Sequence, residues 1–352
     1  MKKKLLAGIL ALALCSTNMP LQTIFAEEFT SGNPDVVSEE IPEIFTNEEQ
    51  EAAGETNEDL FVFSSEEAPE FNDTPDEAMA ATENAQNGVI DLTDDTKVTD
   101  GVYTITSIGD HRFTCSNEQT TTNRIVVDSE NTSEKDNINI YLDNVNIKTS
   151  AGPALQINNN VKATVTIYLT GTNNLTTTDQ NSAGLEKNNT ANLTIDNATN
   201  IAGKLIATGS EHGAGIGGGF GENFGGNCMN ITISGGSVEA HSTNGAGIGG
   251  GGGFSNQYGG DCDTIIINGG SVEAHSTNGV GIGGGNGKYY GGKCSNITIS
   301  GGSINASSSG GAGIGSGLGS GPEMVSSSCS NITISDGSVN ASSYYGAGIG
   351  SG

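Results

Sequence analysis

From residue 88 onward the chain alternates apolar and polar side chains with a period of two, as in Asn137-Ile138-Asn139-Ile140-Tyr141-Leu142 and Ala163-Thr164-Val165-Thr166-Ile167-Tyr168-Leu169. Such alternation marks strands with one buried and one wet face. No stretch there shows a helical period with caps, so the expected class is all-β. Past residue 200 the alternation becomes a repeat. Gly-Ala-Gly-Ile-Gly begins at Gly213, Gly245, Gly311 and Gly346, with the variant Gly279-Val280-Gly281-Ile282-Gly283 between them, at steps of 32, 34, 32 and 35. A second motif starts at Asn230 and reads Asn-Ile-Thr-Ile-Ser-Gly-Gly-Ser-Val-Glu-Ala; it returns from Thr264, Asn296 and Asn331. A period in this range with several short strands per copy specifies a solenoid.

Parity assigns the side chains. Within each strand the apolar set, Ile231 and Ile233, then Val238 and Ala240, then Ala246 and Ile248, keeps one parity while Thr232, Glu239 and the glycines take the other, and the next three copies keep the scheme. Three short strands each give two inward residues, so each repeat is one coil, and like residues stack at the strand spacing of about 4.8 Å. Each isoleucine row is then buried by its own copies, which is how a chain with 5% aromatics and no Trp can build a core. Weaker copies at Pro153-Ala154-Leu155-Gln156-Ile157 and Ser182-Ala183-Gly184-Leu185-Glu186 carry the pattern toward the N-terminus. The expected architecture is a right-handed single-stranded parallel β-helix of seven coils over residues 138–352, the right hand being the default for parallel crossovers. Residues 88–137 are expected to be cap strands. The chain stops within a repeat, at Gly350-Ser351-Gly352, which reads as a fragment or as a rod continued downstream.

Two segments precede the repeats. Lys2, Lys3 and Lys4, the apolar run from Leu5 to Leu14 and the small residue Ala26 form an export signal over residues 1–26. Its apolar run is too short to span a bilayer and nothing later replaces it, so no membrane-spanning segment is expected. Residues 27–87 hold 19 Asp and Glu and no Lys or Arg, scattered with prolines, which reads as a disordered acidic arm. The whole chain has a formal net charge of −28, which repels phosphate backbones and anionic membranes and excludes nucleic acid as a partner.

Candidate chemistry is sparse. Cys228, Cys262, Cys294 and Cys329 recur at steps of 34, 32 and 35 and stack at one coil position; a buried thiol ladder, disulfide staples between coils and a zinc site are the three readings. Phe224, Tyr258 and Tyr290 stand four residues ahead of three of these cysteines, and Phe220, Phe254 and Tyr289 lie in the same loops. Rings along one edge of a rod either bind sugar rings or shield the coil corner. Glu239 and Glu273, flanked by His241 and His275, share an outward ladder where a bound cation such as calcium would relieve like-charge repulsion; solvated side chains are the alternative. The glycine runs lack the strand-to-helix context and the Lys of a nucleotide loop. No acidic pair in the coils suggests glycoside hydrolysis, and the two arginines, Arg112 and Arg124, precede the coils.

The run from Asn137 to Gly352 resembles a family of bacterial surface β-helix proteins with a carbohydrate-binding domain, of the clostridial calcium- and polysaccharide-binding type. The resemblance lies in Asp143-Asn144-Val145, in the stretch from Thr166 to Thr176, and in the repeated Gly-Ala-Gly-Ile-Gly-Gly-Gly. It implies attachment to plant or host glycans at the cell surface. The expected function is therefore a secreted or cell-surface, non-catalytic, adhesin-like module that binds polysaccharide through Phe220, Phe224, Phe254, Tyr258, Tyr289 and Tyr290. The alternatives are a structural stalk or matrix protein without its own ligand, and a polysaccharide lyase or hydrolase.

Overall fold

The computed structural model describes residues 88–200, 202–220, 224–253, 258–319 and 327–352. The expected export signal and acidic arm lie outside the described residues. Among those described there is no α-helix; two 3-10 turns, Asp95–Lys97 and Ser116–Glu118, interrupt an otherwise all-β chain.

Successive strands wind around three faces. Face one holds Asn137–Asp143, Thr164–Thr170, Leu193–Asn197, Cys228–Ile233 and Cys262–Ile267, and face two holds Asn146–Thr149, Thr172–Thr177, Lys204–Thr208, Ser237–Ser242 and Ser271–Ser276. In the last two coils a single strand, Cys294–Ser308 and then Cys329–Ser343, runs through both, so the two faces form one 14-stranded sheet. Face three is a 9-stranded sheet that includes Leu155–Ile157, Leu185–Lys187 and the Ile-Gly pair of every glycine motif. Seven complete three-faced coils result, as the repeat spacing predicts. Residues 88–137 do more than cap them. Gly109–Thr114 pairs in parallel with face one, placing Phe113 beside Leu142, and Arg124–Val127 pairs with face three, placing Ile125 beside Leu155. The leading segment thus adds incomplete layers of the same ladder, which the repeat pattern does not reveal because His111 and Phe113 stand where the later coils carry aliphatic residues.

The inward rows are continuous. Ile138, Val165, Leu193, Ile231, Ile265, Ile297 and Ile332 are register partners in turn, and the first six are fully buried. Burying each such side chain contributes about 1.5–3 kcal/mol, so rows repeated over seven coils supply the stability that an aromatic core gives elsewhere. In the last described coil no further strand lies outward, and Ile334 and Ile349 are exposed.

Corners are set by backbone conformation. Just before each isoleucine row Asn230, Thr264, Asn296 and Asn331 adopt left-handed φ values of 56°, 60°, 56° and 54°, which turn the chain from the cysteine position into face one. Asn tolerates this region well and Thr does not. Between faces two and three a hydroxyl clamps each coil to the one before. Ser242 donates to the Gly213 carbonyl, Ser276 to Gly245 and Ser308 to Gly279, at 2.7, 2.7 and 2.6 Å. On face three Gly249 has φ 141°, and a Cβ there would lie 1.9 Å from the Gly283 carbonyl oxygen. No side chain fits between coils packed this closely.

Candidate functional site

The glycine loops between faces three and one are tied along the rod axis by backbone amides. Gly226 N–H donates to Gly219, Gly251 to Gly226, Gly260 to Gly251, Gly285 to Gly260, Gly292 to Gly285 and Gly317 to Gly292, at 2.6–2.9 Å. This chain fixes the residue before each Gly-Gly pair, so Phe224, Tyr258 and Tyr290 bridge one another in parallel. Their ring centroids lie 5.3 and 5.0 Å apart, the second pair stacked at 11°. All three rings are exposed, at 55, 38 and 39%. The stack brings together the first aromatic set expected from the sequence. Because the rings face one another, solvent meets mainly their edges, which limits how a flat sugar face can pack on them.

The second aromatic set is dispersed. Phe220 packs against His212 at 5.1 Å between ring centroids, Lys288 sits over Tyr289 at 5.4 Å, and Phe254 lies outside the described residues.

Cys228, Cys262, Cys294 and Cys329 are register partners in turn and are free thiols. The first three are buried and Cys329 is half-buried. Hydrogen bonding pairs Cys228 with Cys262 and Cys294 with Cys329, which lowers the proton affinity of Cys228 and Cys329 and raises that of their partners. Nearby charge on Lys187 also lowers Cys228. Among the described residues no group of three or more His, Cys, Asp or Glu lies close enough to hold a metal ion.

Glu239 and Glu273 are register partners, as are His241 and His275. The carboxylate repulsion inferred from the sequence has a protein counter-ion, however: Lys204 Nζ lies 2.6 Å from Glu239 Oε1. Lys204 escapes a search by repeat because it belongs to the preceding, weaker copy.

Adjacent residues on face three are perturbed in opposite senses. Glu186 points outward, accepts from Ala183 N–H and Asn188 Nδ2 at 3.1 Å each, and is pushed up to about 7 by burial. Lys187 points inward and donates to the carbonyls of Asn189 and Met229 at 2.8 and 2.6 Å, and burial lowers it to about 8.

The outer surface of face one carries features that composition does not disclose. Arg112, Tyr141, Tyr168 and Asp196 are register partners in turn. The Arg112 guanidinium lies 3.9 Å from the centroid of Tyr141, and Tyr141 stacks on Tyr168 at 4.9 Å and 20°. Asn139 donates to Asp110 at 2.8 Å, and Asp110 pairs with Arg112 at 3.6 Å. At the other margin of this face, where the chain enters from face three, a polar groove of about 430 Å³ is lined by Glu134, Lys162, Thr190, Ala191, Asn192 and Asn230.

A family described as carbohydrate-binding domain-containing proteins matches residues 99–218, and the beta helix repeat matches residues 231–252, 265–286, 297–318 and 332–352. No curated protein matches the chain, and no solved structure does. The two matches bear out the resemblance to a carbohydrate-binding β-helix family. They also divide the surface: Arg112, Tyr141, Lys162, Tyr168 and Asn192 fall inside the first match, whereas Phe224, Tyr258 and Tyr290 fall beyond it.

Proposed function

We propose that this carbohydrate-binding β-helix chain is an exported, non-catalytic, adhesin-like module that holds polysaccharide against the outside of its rod. The observation that carries the reading is the pairing of a carbohydrate-binding match over residues 99–218 with exposed aromatic side chains set one per coil along the surface. A polysaccharide repeats along its length, and a ladder of like side chains repeats with it. Phe224, Tyr258 and Tyr290 offer ring edges as one contact strip, and bound cations are not required by any group on it. Non-catalytic action is supported by the surroundings of Glu186. This carboxyl, pushed toward neutrality, already accepts from Ala183 N–H and Asn188 Nδ2 and lies close against Gly219, where a Cβ would meet its Oε2 at 2.3 Å.

The covered ring faces favour the second reading, a stalk without its own ligand. A glycan array separates the two. Wild type is expected to bind a restricted set of polysaccharides, and binding to no glycan leaves the stalk. Product release from those polysaccharides by the wild type would overturn the non-catalytic reading. Export is tested by the N-terminus of the chain recovered from the culture medium, expected near Glu27; a protein retained inside the cell with Met1 intact contradicts it.

A further inference from the structure

We infer that the outer surface of face one, from the groove at Lys162 and Asn192 to the tyrosine pair, is the principal contact for a neutral glycan that lies in the groove and extends across the face along the strands. The inference rests on the carbohydrate reading above and adds the site and the ligand class.

The groove is a product of register. Glu134, Lys162, Thr190 to Asn192, and Asn230 stand at the same corner in successive coils, separated by about 28 to 40 residues in sequence and one strand spacing in space. At about 430 Å³ with a mainly polar lining, it is an open groove suited to the hydroxyls of a polymer and unlike the apolar-lined pockets of drug-sized ligands. Part of the corner is already held by hydrogen bonds. Asn230 Nδ2 donates to the Thr190 carbonyl at 2.8 Å and Asn192 Nδ2 reaches Thr164 Oγ1 at 3.5 Å, so the amides are oriented before any ligand arrives. Groups preset in this way lose little freedom on binding.

The lining selects the ligand class. Amides and a hydroxyl can both donate to and accept from sugar hydroxyls. The single cation, Lys162, is matched by the single anion, Glu134, so the groove offers no net attraction to a carboxylated or sulfated chain. The formal charge of −28 over the whole protein works against such a chain as well. A neutral, hydroxyl-rich polymer is what remains. Tyr168 lies four residues along its strand from Thr164, about 13 Å away at strand rise, with the polar row of Asn139, Thr166 and Thr194 between them. Arg112 covers the far face of Tyr141, but beyond Tyr168 the next register partner is Asp196 and not another ring. No ring is stacked on that side of Tyr168, and the Asp196 carboxylate, whose Oδ1 accepts from Asn197 N–H at 2.7 Å, stands on the next strand as an acceptor for a sugar hydroxyl.

Affinity electrophoresis of the full chain in gels containing galactomannan, hydroxyethylcellulose or polygalacturonate tests the inference. Wild type is expected to be retarded by at least one neutral polymer and not by polygalacturonate. A Lys162→Ala, Asn192→Ala double variant and a Tyr168→Ala variant should each weaken retardation about tenfold, the loss expected for one or two hydrogen bonds or a ring contact. Tyr168→Phe should keep it. All these side chains lie on the outside of the coils, and an unchanged strand circular dichroism spectrum checks folding. If these variants bind as wild type while a Phe224→Ala, Tyr258→Ala, Tyr290→Ala variant loses binding, face one is not the site and the carbohydrate reading stands. Retardation by polygalacturonate alone overturns the ligand class. A wild type retarded by no polymer, and bound by no glycan on the array, overturns the carbohydrate reading with it.

Discussion

Single residues show where the repeat is strained and where pH acts on it. Thr264 occupies a left-handed position that its three counterparts fill with Asn, at φ 60°. A β-branched side chain there is held against its preference, at a cost of about 1 kcal/mol or more. Thr264→Asn should therefore raise the unfolding free energy by about 0.5–1 kcal/mol in a denaturant titration; an unchanged midpoint would mean that the corner relaxes around Thr. Glu186 holds its proton to about 7 in the native chain, against 4.5 for an unburied carboxyl. The native state then binds more protons than the unfolded state between those values, so stability falls as pH rises through that window and the penalty is complete above about 7. Glu186→Gln should remove this slope. Its Tm should exceed that of wild type at pH 8 and approach it near pH 4.5, with a gap of about 2–4 °C per kcal/mol for a domain this size. Lys187 runs the other way: native chains bind fewer protons between about 8 and 10.5, so its contribution improves as pH rises there. The neighbours differ in sign because burial disfavours the charged form of each, which keeps the proton on the carboxyl and drives it off the ammonium.

At the level of strands and corners, the isoleucine rows were legible because each is written several times with the same parity. The corners were less so. Ser276 reads as one polar residue among many, yet it is fully buried, donates to Gly245 and accepts from Gly279 N–H at 2.8 Å. A hydroxyl at the turn between two faces shows its partners only once the register is known. Ser276→Ala leaves those groups unpaired and should cost about 1–3 kcal/mol by chemical denaturation, whereas the same change at exposed Ser309 should fall within about 0.5 kcal/mol. Equal effects at both positions would show that the clamp has no special weight. Asn173 is a similar case. It takes an inward position on face two, fully buried, where its side chain accepts from Val145 N–H and donates to the carbonyls of Thr170 and Lys204, at 2.9, 3.0 and 3.1 Å. Parity alone would have assigned an apolar residue there.

Across the whole coil stack, the carbohydrate-binding match and the most regular repeats occupy different halves of the described chain. Regularity favoured Phe224, Tyr258 and Tyr290, since a motif recurring beside a cysteine is conspicuous in sequence. The surface of face one is not conspicuous in the sequence because its parts are unlike one another: Lys162 and Tyr168 come from one coil, Asn192 from the next, and they share no repeated motif. Only stacking makes them neighbours. Hydrogen exchange of the full chain, read by mass spectrometry with and without a neutral oligosaccharide from the retarding polymer, examines that stacking and its use together. Slower exchange is expected in peptides around Glu134, Lys162, Thr190 to Asn192 and Asn230 at once, four separate stretches responding to one ligand. A response confined to one contiguous peptide, or to the loops at Phe224, Tyr258 and Tyr290 alone, would contradict the account.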